Sequence, residues 1–342
     1  MQGRVTSAIH GSGTATAYTR CQCVIRIRIL ILALALMPLA ALGQAWPSKP
    51  IRLIAPYPPG GQTDLVSRWL GERLAPTLGQ PIVVENRAGA QGAVGLQAAK
   101  AAAPDGHTFV YTNVSNLSIA PSLGASLPYD AQRDFAPVTQ LGLTVLAMVV
   151  PASLNVRTVK DFIAYAKANP GKISFASFGN GSTSHVYGEM LKAAAGIDMT
   201  HVPYKGAGPA VQDIMAGHAT TGIHDLGSVG PHIASGRIVA LAVTGPKPWP
   251  LLPDVPTFAE LGYALDIAGW NAIHAPAGTP RPIVERMSAE VNRVIQSPEG
   301  REQMLKFGLL ATGTTPQELG EVIRRDTPRW AEVIRKAGIK AD

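Results

Sequence analysis

From residue 46 onward, short apolar runs alternate with stretches whose apolar positions recur at helical spacing. Apolar runs bounded by Pro, Gly and Asn predict buried strands, and the helical stretches between them predict the crossovers of parallel α/β units. The pattern predicts a strand over 51–56, a turn over 58–61 and a helix over 64–78. In that helix Leu65, Trp69 and Leu74 oppose Arg68, Glu72 and Arg73. A strand over 82–85, a helix over 93–102 and a strand over 108–112 follow, the last two joined by the turn Pro104-Asp105-Gly106.

Residues 138–150 are apolar almost throughout and end at Pro151, which predicts one long strand able to cross between two lobes. Thr158 and Asp161 have the spacing of a helix-opening capping box, and Asn169-Pro170-Gly171 closes that helix. The alternation then resumes, with strands over 173–178, 201–204, 221–224 and 238–244. Helices over 184–195 and 209–216, and a short one before the last strand, separate them. Five prolines between 246 and 256 predict an irregular stretch, after which 267–274 reads as a second crossing strand. Amphipathic helices over 280–296 and 316–337 end the chain. Two crossings give a two-lobed α/β layout: 46–147 with 268–342 as lobe one, and 148–267 as an inserted lobe two. A small ligand would sit in the cleft between them, at loops following the carboxyl ends of strands.

Composition supports a packed chain, with 46% hydrophobic and 15% charged residues. Aromatics at 6% are too few for a base-stacking platform. The net charge of +7 suggests nucleic acid until it is located. Arg4, Arg20, Arg26 and Arg28 all precede residue 46, where there is no acidic residue, so +3 remains over the rest of the chain. No basic stripe forms, and a nucleic-acid partner is not expected.

Arg26 and Arg28, the apolar run 29–42 and the small residues of Ala-Leu-Gly-Gln-Ala (41–45) have the order of a secretory signal. The run is shorter than the roughly 20 residues of a membrane span. Residues 1–45 are therefore expected to be removed, with cleavage after Ala45 or after Gly43 and a start codon that could lie beyond Met1. Export to the periplasm follows. Both cysteines, Cys21 and Cys23, fall in that segment, which leaves no disulfide or cysteine metal site beyond it.

Two strand-to-helix loops carry candidate chemistry. One is Tyr57-Pro58-Pro59-Gly60-Gly61-Gln62-Thr63-Asp64, and the other runs from Ser177 through Gly179, Gly181, Ser182 and Thr183 to His185. Each places glycine at the turn, then hydroxyl or amide side chains, then the N–H groups of a helix start, an arrangement that binds anions. Neither holds Lys or Arg, which suits a carboxylate better than a phosphate. The same residues also have structural uses: Asp64 favours a helix dipole, Thr63 and Ser182 serve as N-caps, Asp225 caps the next helix, and Lys205 charges a solvated turn.

Trp46-Pro-Ser-Lys-Pro-Ile-Arg-Leu-Ile followed by Pro-Tyr-Pro-Pro-Gly-Gly-x-x-Asp resembles the opening of the Bug-type receptors, the extracytoplasmic binding proteins of tripartite tricarboxylate transporters. Glu85-Asn86-Arg87-Ala88-Gly89-Ala90, Pro104-Asp105-Gly106, Pro203-Tyr204-Lys205-Gly206, Pro253-Asp254-Val255-Pro256 and Ala275-Pro276-Ala277-Gly278-Thr279-Pro280 resemble that family in order, nearly to the C-terminus. The resemblance implies a periplasmic-binding-protein fold, α/β with two lobes joined by crossing strands and closing on a small organic acid. It implies membrane transporter components as partners, a monomer, no cofactor and no catalysis. It nominates Tyr57, Gly61, Gln62, Thr63 and Asp64 on one side of the ligand, and Ser177, Gly181, Ser182 and Thr183 on the other. Tyr204, Lys205 and Asp225 are the candidates for its distal end. His224 stands where many relatives have an aromatic, and Asn271-Ala272 where they have an aromatic-glycine pair, so the ligand is not copied from a relative.

The histidines are too scattered for a helical zinc motif. Gly89-Ala-Gln-Gly92-Ala-Val-Gly95 lacks the G-x-G-x-x-G spacing. Ser182 and His185, one helical turn apart, suggest a hydrolase or transferase, but no G-x-S-x-G elbow surrounds them. A ligand-presenting sensor is a further alternative.

Overall fold

The computed structural model describes residues 46–339 except 125, 246 and 266. The expected signal segment, with both cysteines and the cleavage point, lies outside the described residues.

The first sheet opens with β1 (Ile51–Ala55), α1 (Gln62–Leu78), β2 (Ile82–Asn86), α2 (Ala93–Lys100) and β3 (Thr108–Asn113). β1 lies between β2 and β3, parallel to both. Its Ile51, Leu53, Ile54 and Ala55 are buried, as befits a strand covered on both faces by crossover helices. A wide π-helical turn over Ser115–Ile119 leaves β3, and β4 (Phe135–Thr144) follows.

One residue, Val145, separates β4 from β5 (Leu146–Pro151), and β5 already belongs to the second sheet. The single strand expected over 138–150 is therefore two. β4 pairs with strands near the C-terminus, whereas β5 pairs with strands of the inserted segment, so the ladder changes partners at Val145.

The second sheet continues through α3 (Val159–Ala168), β6 (Ser174–Ser177), α4 (Thr183–Ala195), β7 (Thr200–Pro203), α5 (Ala207–Met215), β8 (Thr221–Asp225), α6 (Leu226–Ala234) and β9 (Ile238–Val243). Thr158 caps α3 by accepting the Asp161 N–H at 3.0 Å. The strand order is β7-β6-β8-β5-β9, with β6 parallel to both β7 and β8.

The chain then passes irregularly through the prolines and returns to the first sheet as β10 (Gly269–Pro276), antiparallel between β3 and β4. The outgoing and returning segments run side by side: Leu146 N–H donates to Thr244 Oγ1 at 3.0 Å, and Thr244 N–H to the Leu146 carbonyl at 2.8 Å. α7 (Arg281–Gln296), α8 (Pro298–Lys306), β11 (Leu309–Ala311) and α9 (Pro316–Lys336) follow. β11 closes the order β11-β4-β10-β3-β1-β2. α8 and β11 were not expected from the sequence. The helix has few apolar residues and the strand only three positions, too few for a period to emerge.

Both sheets contain the same unit. In β1-α1-β2-α2-β3 and in β6-α4-β7-α5-β8, the middle strand is the first in sequence and the other two flank it. The first crossover therefore steps to one side of β1 or β6, and the second passes back to the other side. A crevice opens at the carboxyl ends of β1 and β3, and another at those of β6 and β8.

Candidate functional site

The four strand ends open onto one cavity of about 380 Å³. Tyr57 and Thr63 reach it from the loop after β1, and Asn113 and Ser115 from the end of β3. Phe178 follows β6, and Asp225 ends β8. Thr144, Leu146, Trp270 and Asn271 line it from the crossing segments, and Lys205 with the start of α5 from the second sheet.

Of the first loop, Tyr57, Gly61, Gln62 and Thr63 line the cavity. Gly61 is the N-cap of α1 and has no side chain with which to cap it. The Gln62 amide donates to the Phe307 carbonyl at 2.7 Å, which ties the loop to the turn after α8. The Tyr57 hydroxyl accepts from Asn113 Nδ2 at 3.2 Å and lies 3.3 Å from the Gln91 carbonyl. Burial raises its pKa against the amide hydrogen bonds of Asn113 and Asn116, so it remains a phenol.

Asp64 lies outside the lining. Its carboxylate accepts from Gly60 N–H at 3.0 Å and from Asn86 Nδ2 at 2.9 Å, and it pairs with Arg68 at 2.9 Å. Burial pushes its pKa up, but Arg68, Gly60 and Asn86 together hold it below the ordinary carboxylate value. It braces the turn that presents Gly61 and Thr63.

Of the second loop, Thr183 lines the cavity, whereas Ser177, Gly181 and Ser182 do not. Ser182 caps α4, accepting His185 N–H at 3.2 Å and donating its own proton to the Gly179 carbonyl at 2.6 Å. Gly181 N–H donates to His185 Nδ1 at 3.0 Å. Ser177 Oγ accepts Gly179 N–H at 3.2 Å and lies 2.7 Å from His201 Nε2. The His185 and His201 rings stack at 3.8 Å, and Phe175 lies against His201 at 4.8 Å. Burial, then the neighbouring His185, pushes the His201 pKa down to about 4. These groups hold the loop in shape. Thr183 N–H reaches across to Ser115 Oγ at 3.3 Å, joining the two halves at the cavity.

Among the candidates for the ligand's distal end, Lys205 and Asp225 line the cavity, and Tyr204 does not. The Tyr204 hydroxyl donates to Asp213 Oδ2 at 2.5 Å. Lys205 is the single Lys or Arg among the described lining residues. Asp225 caps α6, accepting Ser228 N–H at 2.9 Å and the Ser228 hydroxyl from 2.9 Å. Burial raises its pKa and Ser228 offsets part of the rise.

Asn271, singled out in the sequence as a departure from the family pattern, lines the cavity, whereas sequence reasoning missed Asn113, Ser115, Thr144, Ser228, His232 and Trp270. The strand-end rule applies to β3 as much as to β1, but residues 114–119 contain no glycine and escape a search for glycine turns. Trp270 belonged to an expected crossing strand, and its place at the cavity follows only from register. Among the described residues, no three His, Cys, Asp or Glu side chains cluster as a metal would require. Nor is any described helix long and apolar enough to cross a membrane.

Two α/β sheets with duplicated switch-point crevices facing a common cavity define the periplasmic-binding-protein architecture. Solved structures share it: one described as a periplasmic transporter matches with TM-score 0.83 and 37% identity, covering 87% of this chain and 100% of that one. A second, R. palustris Rpa4515 with adipate, matches with TM-score 0.84 and 32% identity over 86% and 99%. MatC from Rhodopseudomonas palustris with bound malate matches with TM-score 0.78 and 29% identity over 84% and 100%. Residues 66–339 match the family model of the tripartite tricarboxylate transporter family receptor, and the chain belongs to that family. BugT of Bordetella pertussis is 37% identical over 297 residues, 86% of this chain and 91% of its own. A protein encoded in the tcbD-tcbE intergenic region of Pseudomonas sp. strain P51 is 36% identical over 300 residues, 87% and 89% of the two chains.

Proposed function

We propose that this receptor is exported, captures a small organic carboxylate by closing its two lobes, and delivers it to the membrane components of a tripartite tricarboxylate-type transporter. The observation that carries the reading is the convergence of four strand ends on one cavity lined by hydroxyls, amides and a lysine. Uncapped helix starts at Gly61 and Gly206 add the backbone N–H donors that hold a carboxylate. Carboxylates bound to relatives, adipate on Rpa4515 and malate on MatC, support the ligand class.

In this reading lobe one comprises 46–147 with 268–342, and lobe two 148–267. Tyr57, Gly61, Gln62 and Thr63 meet the ligand from lobe one, and Thr183, Lys205 and Asp225 from lobe two. Asp64, Ser177, Gly181, Ser182 and Tyr204 support the loops behind them. A ligand touching both lobes binds the closed form more tightly and shifts the population toward it, which gives a membrane partner a loaded state to recognise. The receptor works as a monomer without a cofactor. Hydrolysis by Ser182 is disfavoured, because its hydroxyl proton goes to the Gly179 carbonyl and His185 Nδ1 accepts from Gly181.

Trp270 lies at the cavity, so intrinsic fluorescence gives a direct titration. With the ligand stripped, at least one acid among mono-, di- and tricarboxylates should give a saturable change. Thr63→Ala and Thr183→Ala should each weaken it about five- to tenfold, the worth of one hydrogen bond. Saturable binding that neither substitution alters would remove these loops from the site.

A further inference from the structure

The link between β2 and α2 ends in Gly89-Ala90-Gln91-Gly92, four consecutive residues with positive φ, at +141°, +42°, +53° and +95°. The two glycines adopt this freely, but Ala90 and Gln91 carry a Cβ that crowds the following carbonyl in the left-handed region. Among the described residues the third non-glycine with positive φ is Asn155, a residue type that tolerates it. An adjacent alanine and glutamine hold such a backbone only where their surroundings over-determine it.

On the side of the first sheet, Gly92 N–H donates to the Gly89 carbonyl at 2.9 Å and closes the turn. The Tyr57 hydroxyl donates to the Gln91 carbonyl at 3.3 Å. A Cβ added to Gly95 would stand 2.6 Å from Pro56 Cβ, so the start of α2 is pressed against the loop that presents Tyr57. The Gln91 side chain reaches the opposite half. A Cβ added to Gly181 would lie 3.2 Å from Gln91 Oε1, and one added to Gly179 would lie 3.7 Å from Gln91 Cγ. Gln91 thus covers the turn between β6 and α4 on the face that its two glycines leave bare. It does not line the cavity, so it joins the two halves without offering the ligand a contact.

We propose that Gln91 is a latch for the closed receptor: a strained backbone aims its side chain onto the Gly179–Gly181 turn, and its carbonyl ties that contact to Tyr57. Gln91 is a positioning residue that sets how long a ligand is held, not which ligand is chosen. This rests on the lobe-closure reading above and adds what holds the closed form. The side-chain contact exists only while the halves meet, so its loss falls on ligand release. The left-handed backbone belongs to one half alone, so its strain falls on stability.

Stopped-flow fluorescence on the full chain, with thermal unfolding beside it, tests the latch. Succinate, adipate, malate and citrate are titrated first, and the tightest binder is the probe. Gln91→Ala should speed its release about threefold or more, the worth of one buried methylene, and leave the association rate within about twofold. Gln91→Gly should speed release as much, yet unfold about 2 °C or more above Gln91→Ala, because glycine relieves the left-handed backbone. Ala90 is exposed, and Ala90→Gly should raise the midpoint similarly over the wild type with release unchanged. A turn that serves only the fold would do the reverse, with Gln91→Ala lowering the midpoint and leaving release alone. That result, or unchanged release in both Gln91 variants, would overturn the latch and leave carboxylate capture standing. No binding of any of the four acids would overturn both.

Discussion

His224 and His274 are fully buried, and burial pushes their pKa values down to about 4 and about 3. In the unfolded chain both titrate near 6.5, so below that pH the unfolded state takes up protons that the folded state refuses. Their contribution to stability is therefore complete above about pH 6.5 and is lost as the pH falls toward the folded values, at about 1.4 kcal/mol per pH unit for each. The folded pKa of Asp64 is lowered, so its contribution holds above the ordinary carboxylate range and is lost only at more acid pH. The midpoint of urea unfolding should fall steeply between pH 7 and pH 5. His224 packs at 5.9 Å from Phe178, and His224→Phe should flatten that slope; an unchanged slope would mean that the histidine is not buried neutral. Sequence could place Asp64 and Ser182 at helix starts but not say which way they face. An N-cap serine and a ligand-binding serine look alike until the Gly179 carbonyl is seen to take its proton.

The βαβ units were legible at the level of elements because strand runs and helical periods differ in length and spacing. The break at Val145 was not, since both sides are apolar and extended and only the choice of partner strand separates them. The helical turn after β3 was missed for a similar reason: its residues carry no glycine or proline to announce it. Glycine, where it was read, marked a real constraint. Gly181 sits at φ +71°, and a Cβ there would stand 2.5 Å from Leu123 Cδ1 and 3.2 Å from Gln91 Oε1, both on the opposite half. Gly181→Ala should cost about 1–2 kcal/mol in stability for the left-handed backbone. It should also weaken ligand binding, because the two halves could not approach as closely. Retention of full affinity would show that this contact is not part of the bound state.

The two-sheet layout of the whole molecule was readable from two crossings flanking an inserted segment, and the expected fold class holds. What sequence could not supply was the pairing of halves: Thr183 N–H on Ser115, and the Tyr187 ring edge-on to Trp330 at 5.8 Å. Those contacts join residues far apart in the chain, and no local pattern records them. They bring the cavity walls together, and a bound acid would stabilise the same arrangement.

Thermal unfolding of the ligand-stripped receptor against a panel of small carboxylates at fixed pH tests that claim most directly. An acid at 100 times its dissociation constant should add about 2.7 kcal/mol, raising the midpoint by a few degrees in a chain of this size. Such a shift is expected from at least one acid, reduced in Thr63→Ala and Thr183→Ala. No shift from any acid, with the fold intact, would contradict it.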